Sequence, residues 1–158
     1  MRRWFLLLLV VLVTACRARP PYTGKTVAEL EQMLRDPNPS IQVQGAFGLG
    51  RLGPEARSAV PALMEALKRD RLVRQHAALA LGQIGPAASD AVPALCAALS
   101  DPEWAVRRQA ALALGQIGPQ ARPAIPALQK ISRDPDPLVR EAVQKVLKQI
   151  RVAPAAPQ

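Results

Sequence analysis

The chain has 158 residues, enough for one domain with short extensions and too few for two independent cores. Its formal net charge is +9, and setting residues 1–15 aside leaves 19 basic against 12 acidic groups, a balance that favours anionic partners without naming one. Hydrophobic residues make up 49% of the chain and aromatic residues only 3%, which predicts closely packed helices of Ala, Leu and Val. The two cysteines, Cys16 and Cys96, stand in unrelated contexts and indicate no disulfide framework.

The first fifteen residues have the pattern of an export signal. Two arginines precede ten consecutive apolar residues, from Trp4 to Val13, and this run is short of the ~20 residues that a membrane-spanning helix needs. Residues 13–16, VTAC, resemble the lipobox of bacterial lipoproteins, although Val13 and Thr14 depart from its usual form. The resemblance implies cleavage before Cys16, lipidation of Cys16 and anchoring to a bacterial membrane, facing the periplasm or the cell exterior. The alternative is an ordinary cleaved signal with an incidental cysteine. Residues 16–25 then form the lipidated cysteine and a polar, Pro-rich tether.

An internal repeat follows. Residues 46–54, 78–86 and 111–119 read AFGLGRLGP, ALALGQIGP and ALALGQIGP, at offsets of 32 and 33 residues, and a second proline stands seven residues after each segment. A period in this range is typical of a solenoid. Each unit is predicted to be a helical hairpin, in which Gly85-Pro86 and its equivalents end the first helix and Pro93 and its equivalents begin the second.

Neighbouring hairpins must stack, because one hairpin cannot bury both of its faces. Gly82 and Gly115 lie within the first helices, where glycine costs ~1 kcal/mol relative to alanine, so close contact between helices is expected there. Lone helices at 27–34 and 138–150 are predicted to cap the stack. The repeat domain therefore covers residues 26–150, and residues 151–158 form an Ala/Pro-rich tail that is predicted to be disordered.

Residues 101–119, DPEWAVRRQAALALGQIGP, resemble HEAT-like repeats of the phycobilin lyase type, and the resemblance extends over about residues 26–150. It implies an all-α fold, a short α-solenoid of about three and a half HEAT-like repeats. It also implies a ladder of Asp and Arg side chains between adjacent units, for which Asp101, Arg107, Asp134 and Arg140 match the motif. Gln42 stands where the ladder Arg belongs and Lys68 where the Asp belongs, so the ladder is expected to be incomplete towards the N-terminus.

Catalytic and metal-binding patterns are missing from the sequence. His76 is its single histidine, and its repeat equivalents are Gln44 and Gln109. HEAT-like deoxyhypusine hydroxylases carry paired His-Glu dipeptides for iron, and this sequence has none. Bilin lyases of the resembling type need a bilin and a phycobiliprotein, which suit an exported chain poorly. We therefore predict that the chain is not an enzyme, has no metal or other cofactor, and acts on no small-molecule substrate.

The predicted function is a protein- or peptide-binding scaffold held at the cell envelope. Second helices usually line the concave face of a solenoid, and tryptophan is enriched at binding hot spots. One alternative is an anionic-ligand module that uses the basic residues near the hairpin junctions to bind acidic lipid or nucleic acid, and export disfavours nucleic acid. A second alternative is an accessory bilin-lyase-like protein. The candidate partner-binding residues are Met64, Glu65, Lys68, Arg71, Cys96, Trp104, Gln129, Lys130 and Arg133.

Overall fold

The computed structural model describes residues 21–152, with side chains through residue 150. This part of the chain is helical and contains no strand, which confirms the predicted all-α solenoid. Three segments of 3-10 helix, Gly53–Ala59, Gly85–Ala91 and Gly118–Ala124, join the α-helices into hairpins. The α-helices are α1 (Val27–Leu34), α2 (Pro39–Leu52), α3 (Val60–Ala66), α4 (Arg71–Ile84), α5 (Val92–Ala98), α6 (Trp104–Ile117), α7 (Ile125–Lys130) and α8 (Pro137–Val152).

The first helices of the hairpins α2/α3, α4/α5 and α6/α7 end at the predicted Gly-Pro stops, and two of them begin with side-chain caps. The side chains of Asn38 and Asp70 accept hydrogen bonds from backbone N–H groups in the first turns of α2 and α4. Each such cap contributes ~1 kcal/mol. The first helix of each hairpin ends at a glycine with positive φ, at Gly53 (59°), Gly85 (69°) and Gly118 (81°), because this conformation carries a steric cost for any residue with a Cβ.

The joining 3-10 segments were not anticipated from the sequence. Each begins with Gly-Pro and buries two alanines; Ala56, Ala88 and Ala121 are fully buried at equivalent positions. We call the side of the stack formed by these segments the turn edge. The opposite side, where second helices end and first helices begin at residues 67–71, 99–104 and 131–137, is called the junction edge.

First helices pack directly on one another along the stack. A Cβ added to Gly82 would lie 2.9 Å from the Cα of Ala113, and one added to Gly50 would lie 3.1 Å from the Cα of Ala80. These distances leave no room for a methyl group, which confirms the close approach predicted for Gly82. The Nε2 atom of Gln149 also donates a hydrogen bond of 2.9 Å to the backbone oxygen of Gly115.

One continuous core runs through all the hairpins. Repeat-equivalent side chains of the first helices are fully buried, as in the sets Leu49, Leu81 and Leu114, and Val73, Val106 and Val139. Burying a Leu or Val side chain contributes ~1.5–3 kcal/mol, so the shared core makes each hairpin depend on its neighbours.

Both ends of the packed region differ from the predicted boundaries. The ring of Tyr22 packs against that of Phe47 with a centroid distance of 5.0 Å, so the packed region includes Tyr22, which was predicted to lie in the tether. At the other end α8 continues to Val152, two residues beyond the predicted helix. Residues 1–20 and 153–158, with the predicted export signal, Cys16 and most of the tail, lie outside the described residues.

Candidate partner-binding surfaces

Most of the candidate residues lie on the face formed by the second helices. Glu65 and Lys68 are exposed and form an ion pair of 2.8 Å with each other, whereas Met64 and Cys96 are half-buried and pack against the core. Three further candidates on this face are exposed: Gln129, Lys130 and Arg133. The second-helix face is therefore mostly polar, and its apolar side chains are half-buried between neighbouring helices.

Grooves open between neighbouring second helices. The groove between α3 and α5 has a volume of about 210 Å³ and brings together Met64, Lys68, Ala97 and Asp101. A larger groove of about 510 Å³ between α1 and α3 is lined by Glu65 and by residues of α1. Because second helices contact each other less than first helices do, these grooves follow from the packing and can accept side chains of a bound chain.

The thiol of Cys96 is not activated. Its burial beside apolar side chains raises its pKa above the ordinary value, and no neighbouring cation opposes this effect. The thiol therefore stays protonated at neutral pH and acts as a small apolar group.

The junction edge carries the largest exposed apolar side chains in the described part of the chain. Leu72, Trp104 and Leu138 are 47%, 43% and 44% exposed, and each stands at the first or second position of α4, α6 or α8. The stack thus repeats an exposed apolar group along one edge, and we call these three residues the apolar row. Trp104 was predicted as a binding residue, whereas Leu72 and Leu138 were not. Leu72 and Leu138 occupy the same repeat position as Ala105, and this position lies outside the buried stripe of the first helix. A leucine at an unburied position was the signal that could have identified them.

Arg71, the remaining candidate, lies next to the apolar row. Its Nη1 atom is 3.6 Å from the Oε2 atom of Glu103 in the next unit, and both side chains are more than a third exposed. Such an exposed pair contributes little to stability, so Arg71 is free to contact a ligand at small cost.

Two other junction arginines have structural roles in the predicted ladder. Arg74 donates to both carboxylate oxygens of Asp101 at 2.7 and 3.0 Å, and Arg107 donates to those of Asp134 at 2.7 and 2.8 Å. Each pair joins the first helix of one unit to the carboxylate that begins the next. Arg107 holds the pKa of Asp134 below its ordinary value, helped by the backbone N–H of Asp136.

The ladder stops towards the N-terminus, as predicted. Gln42, in the position of the ladder arginine, is buried and donates a hydrogen bond to the backbone oxygen of Asp36 in its own unit. Asp70, Asp101 and Asp134 each accept a backbone N–H two residues ahead, so capping and the ladder account for these carboxylates.

Within residues 21–152, no group of three or more His, Cys, Asp or Glu side chains is arranged to hold a metal ion. His76 is half-buried, and its Nδ1 atom lies 2.9 Å from the backbone oxygen of Leu72. None of the helices in the same residues is both long and apolar enough to span a membrane.

The fold and its surfaces define a short helical-repeat protein. Residues 27–95 and 68–148 match the family of HEAT repeats, and the chain belongs to that family. A comparison with curated proteins finds no match.

Two solved structures resemble the stack. An engineered protein is 28% identical with a TM-score of 0.67, and the similarity covers 79% of this chain and 62% of that one. Human deoxyhypusine hydroxylase, solved in complex with glycerol, is 35% identical with a TM-score of 0.67, over 85% of this chain and 46% of that one. This chain therefore spans less than two thirds of either protein.

The prediction that the chain is not an enzyme is contradicted by the second of these similarities. Deoxyhypusine hydroxylase is an enzyme, and its chain is similar to most of the repeat stack. One fold can carry different functions according to its side chains, so a repeat architecture without a familiar catalytic motif does not exclude catalysis.

Proposed function

We propose that this HEAT-repeat protein is a scaffold that binds a protein or peptide partner while a lipid on Cys16 anchors it in the bacterial cell envelope. The observation that carries the binding proposal is the apolar row, Leu72, Trp104 and Leu138. Large apolar side chains left exposed in a series along one edge are typical of interaction sites, since their burial against a partner removes apolar surface from water.

The side chains at this edge favour a partner that offers both apolar and charged groups. Trp104 offers a large rigid surface, and Arg71 with Glu103 supplies both signs of charge within 3.6 Å. The grooves beside Met64, Lys68 and Glu65 extend the contact area onto the second-helix face. The arrangement supports a segment that lies along the stack and contacts successive units.

The anchoring proposal rests on the export pattern and on the position of Cys16. Fractionation of cells that produce the wild-type chain or the Cys16→Ala variant tests it. Loss of membrane association in the variant is expected, and equal association would refute lipidation at this residue.

The binding proposal is tested by affinity capture from detergent-solubilised envelopes. Wild type, Trp104→Ala and a control variant of an exposed residue outside the candidate surfaces, Gln120→Ala, are compared for a protein that is retained in stoichiometric amount. Trp104→Ala is expected to weaken retention by about 30-fold, which corresponds to a hot spot of ~2 kcal/mol. Retention unaffected by Trp104→Ala would refute the role of the apolar row.

The alternatives have weaker support. Seven basic residues near the junctions would serve the anionic-ligand hypothesis, and four of them lie within 4 Å of a carboxylate, namely Lys68, Arg71, Arg74 and Arg107; the other three are Arg69, Arg108 and Arg133. Binding to DNA that falls steeply with salt would revive nucleic acid as a ligand, because counterion release governs such contacts. A bilin-lyase-like role rests on the repeat motif alone, and a chromophore bound to the purified protein would support it.

A further inference from the structure

Both edges of the stack carry exposed cations. At the junction edge Lys68, Arg71, Arg74 and Arg107 each lie within 4 Å of a carboxylate, whereas Arg69 and Arg133 are exposed and form no ion pair with the described residues. At the turn edge Arg57, and Arg51 just before it in the last turn of α2, are exposed and likewise form no ion pair with the described residues. The 3-10 segments of the turn edge carry Arg57 and Arg122 against Glu55 and Asp90, and Lys25 and Arg51 add two cations at the end of α2.

The N-terminal part of the described chain lies at the turn edge. Tyr22 and Lys25 line a cavity of about 540 Å³ together with Arg51 and Leu52, at the end of α2. The segment that leads back to Cys16 therefore leaves the domain beside Arg51. Five residues lie between Cys16 and Tyr22, and the six steps along the chain span at most ~20 Å.

The length of the first helices separates the two edges. A helix of 14 residues, such as α4, is ~21 Å long at 1.5 Å per residue. A lipid on Cys16 would therefore hold the turn edge near the bilayer and allow the junction edge to lie about one helix length farther away. Attraction between cations and an anionic lipid surface falls off within ~8–10 Å, so only the edge nearest the bilayer gains from it.

We propose that the turn edge is a membrane-facing surface whose cations, chiefly Arg51, Arg57 and Lys25, contact anionic lipid headgroups. This inference rests on the proposed lipid anchor, and it assigns the opposite edge, with the apolar row, to the partner. The place where the chain leaves the domain selects this edge, because it brings Lys25, Arg51 and Arg57 nearer to the bilayer than the exposed cations of the junction edge. The stack then stands on the membrane with its partner-binding edge directed away from the bilayer.

Hydrogen–deuterium exchange of the whole protein, followed by mass spectrometry, tests the orientation. The protein is purified from its producing cells and placed on vesicles of phosphatidylcholine alone or of equal parts phosphatidylcholine and phosphatidylglycerol. Slower exchange is expected in residues 53–59 and 118–124 on the anionic vesicles, with no change in residues 67–70 and 100–103. Equal protection at both edges, or protection at the junction edge only, would overturn the proposal.

Two variants of equal charge change separate a specific edge from a general effect of net charge. Arg51→Glu with Arg57→Glu is expected to abolish the extra protection. Arg69→Glu with Arg108→Glu, which alters cations at the junction edge, is expected to leave it unchanged. Loss of protection in both variants would contradict a specific edge. The anchor is assessed separately by recovery of the wild-type protein from membranes. Recovery without protection at the turn edge would refute the orientation alone, whereas absence from membranes would refute the anchor.

Discussion

Removal of the ladder side chain Arg107 gives the sharpest test of how the repeats are held together. Its guanidinium donates two hydrogen bonds to Asp134 and a further pair to the backbone oxygens of Asp101 and Pro102, at 2.7–3.0 Å. The two charged side chains are only 14% and 4% exposed. In Arg107→Ala the carboxylate of Asp134 would stay buried, with the N–H of Asp136 as its remaining donor.

The cost of leaving that charge unpaired is ~3 kcal/mol, the lower end of the range for breaking a buried pair. Arg71→Ala is the matched control, because Arg71 also bridges two units but does so at 3.6 Å with both side chains well exposed. Its loss should cost less than ~1 kcal/mol. The two variants therefore separate a buried from an exposed inter-repeat ion pair.

Urea unfolding followed by circular dichroism measures both costs. With a slope of ~1–3 kcal/mol per molar urea, a cost of ~3 kcal/mol should lower the midpoint of Arg107→Ala by about 1–3 M and that of Arg71→Ala by much less. Adding Asp134→Asn to Arg107→Ala should recover part of the loss, because it removes the unpaired charge. Equal losses in the two single variants, or a loss below ~1 kcal/mol for Arg107→Ala, would show that the buried pair stabilises the stack no more than an exposed one.

Three further predictions concern the glycine contacts, the pH dependence and the thiol. Gly82→Ala should lower the melting temperature by the equivalent of ~1–3 kcal/mol, because overcrowding against Ala113 exceeds the gain of ~1 kcal/mol in helix propensity, and a raised melting temperature would contradict this. The pKa of Asp134 is lowered in the folded protein, so its contribution is present above the unfolded pKa of ~3.9 and is lost as pH falls through the lower folded pKa. Urea unfolding at a series of pH values should therefore show a loss of stability in this acidic range that is smaller in Asp134→Asn, and identical profiles would exclude the group. Burial raises the pKa of Cys96, so alkylation of this thiol by iodoacetamide at neutral pH, measured by site-resolved mass spectrometry, should be slower than that of free glutathione; a faster reaction would show an activated thiol.

The repeat pattern predicted the fold because packing and turns fix the same positions in every unit. From the sequence, Gly82 was predicted to lie at a close contact between helices and Gly85 to end a helix with a positive φ. The structure confirms both. Equally, the replacement of the ladder arginine by Gln42 predicted where the ladder ends. The same residue types recur at the same positions in each unit, so each prediction could be checked against the other units of the same sequence.

The surfaces were less predictable, because exposure depends on how units pack and not on residue type alone. Leu72 and Leu138 are apolar, yet the position they occupy lies outside the buried stripe of each first helix. The 3-10 segments at the turn edge and the packing of Tyr22 on Phe47 are likewise set by tertiary contacts. Missing catalytic motifs could not exclude an enzyme, because one fold can carry different functions according to its side chains.

Site-specific photo-cross-linking in producing cells tests whether the partner binds at the apolar row. A photoreactive amino acid replaces Trp104 on the junction edge or, as the control, Gln120, an exposed residue of the turn edge. We expect a discrete adduct with an envelope protein from position 104 and none from position 120. An adduct from position 120 together with none from position 104 would contradict binding through the apolar row.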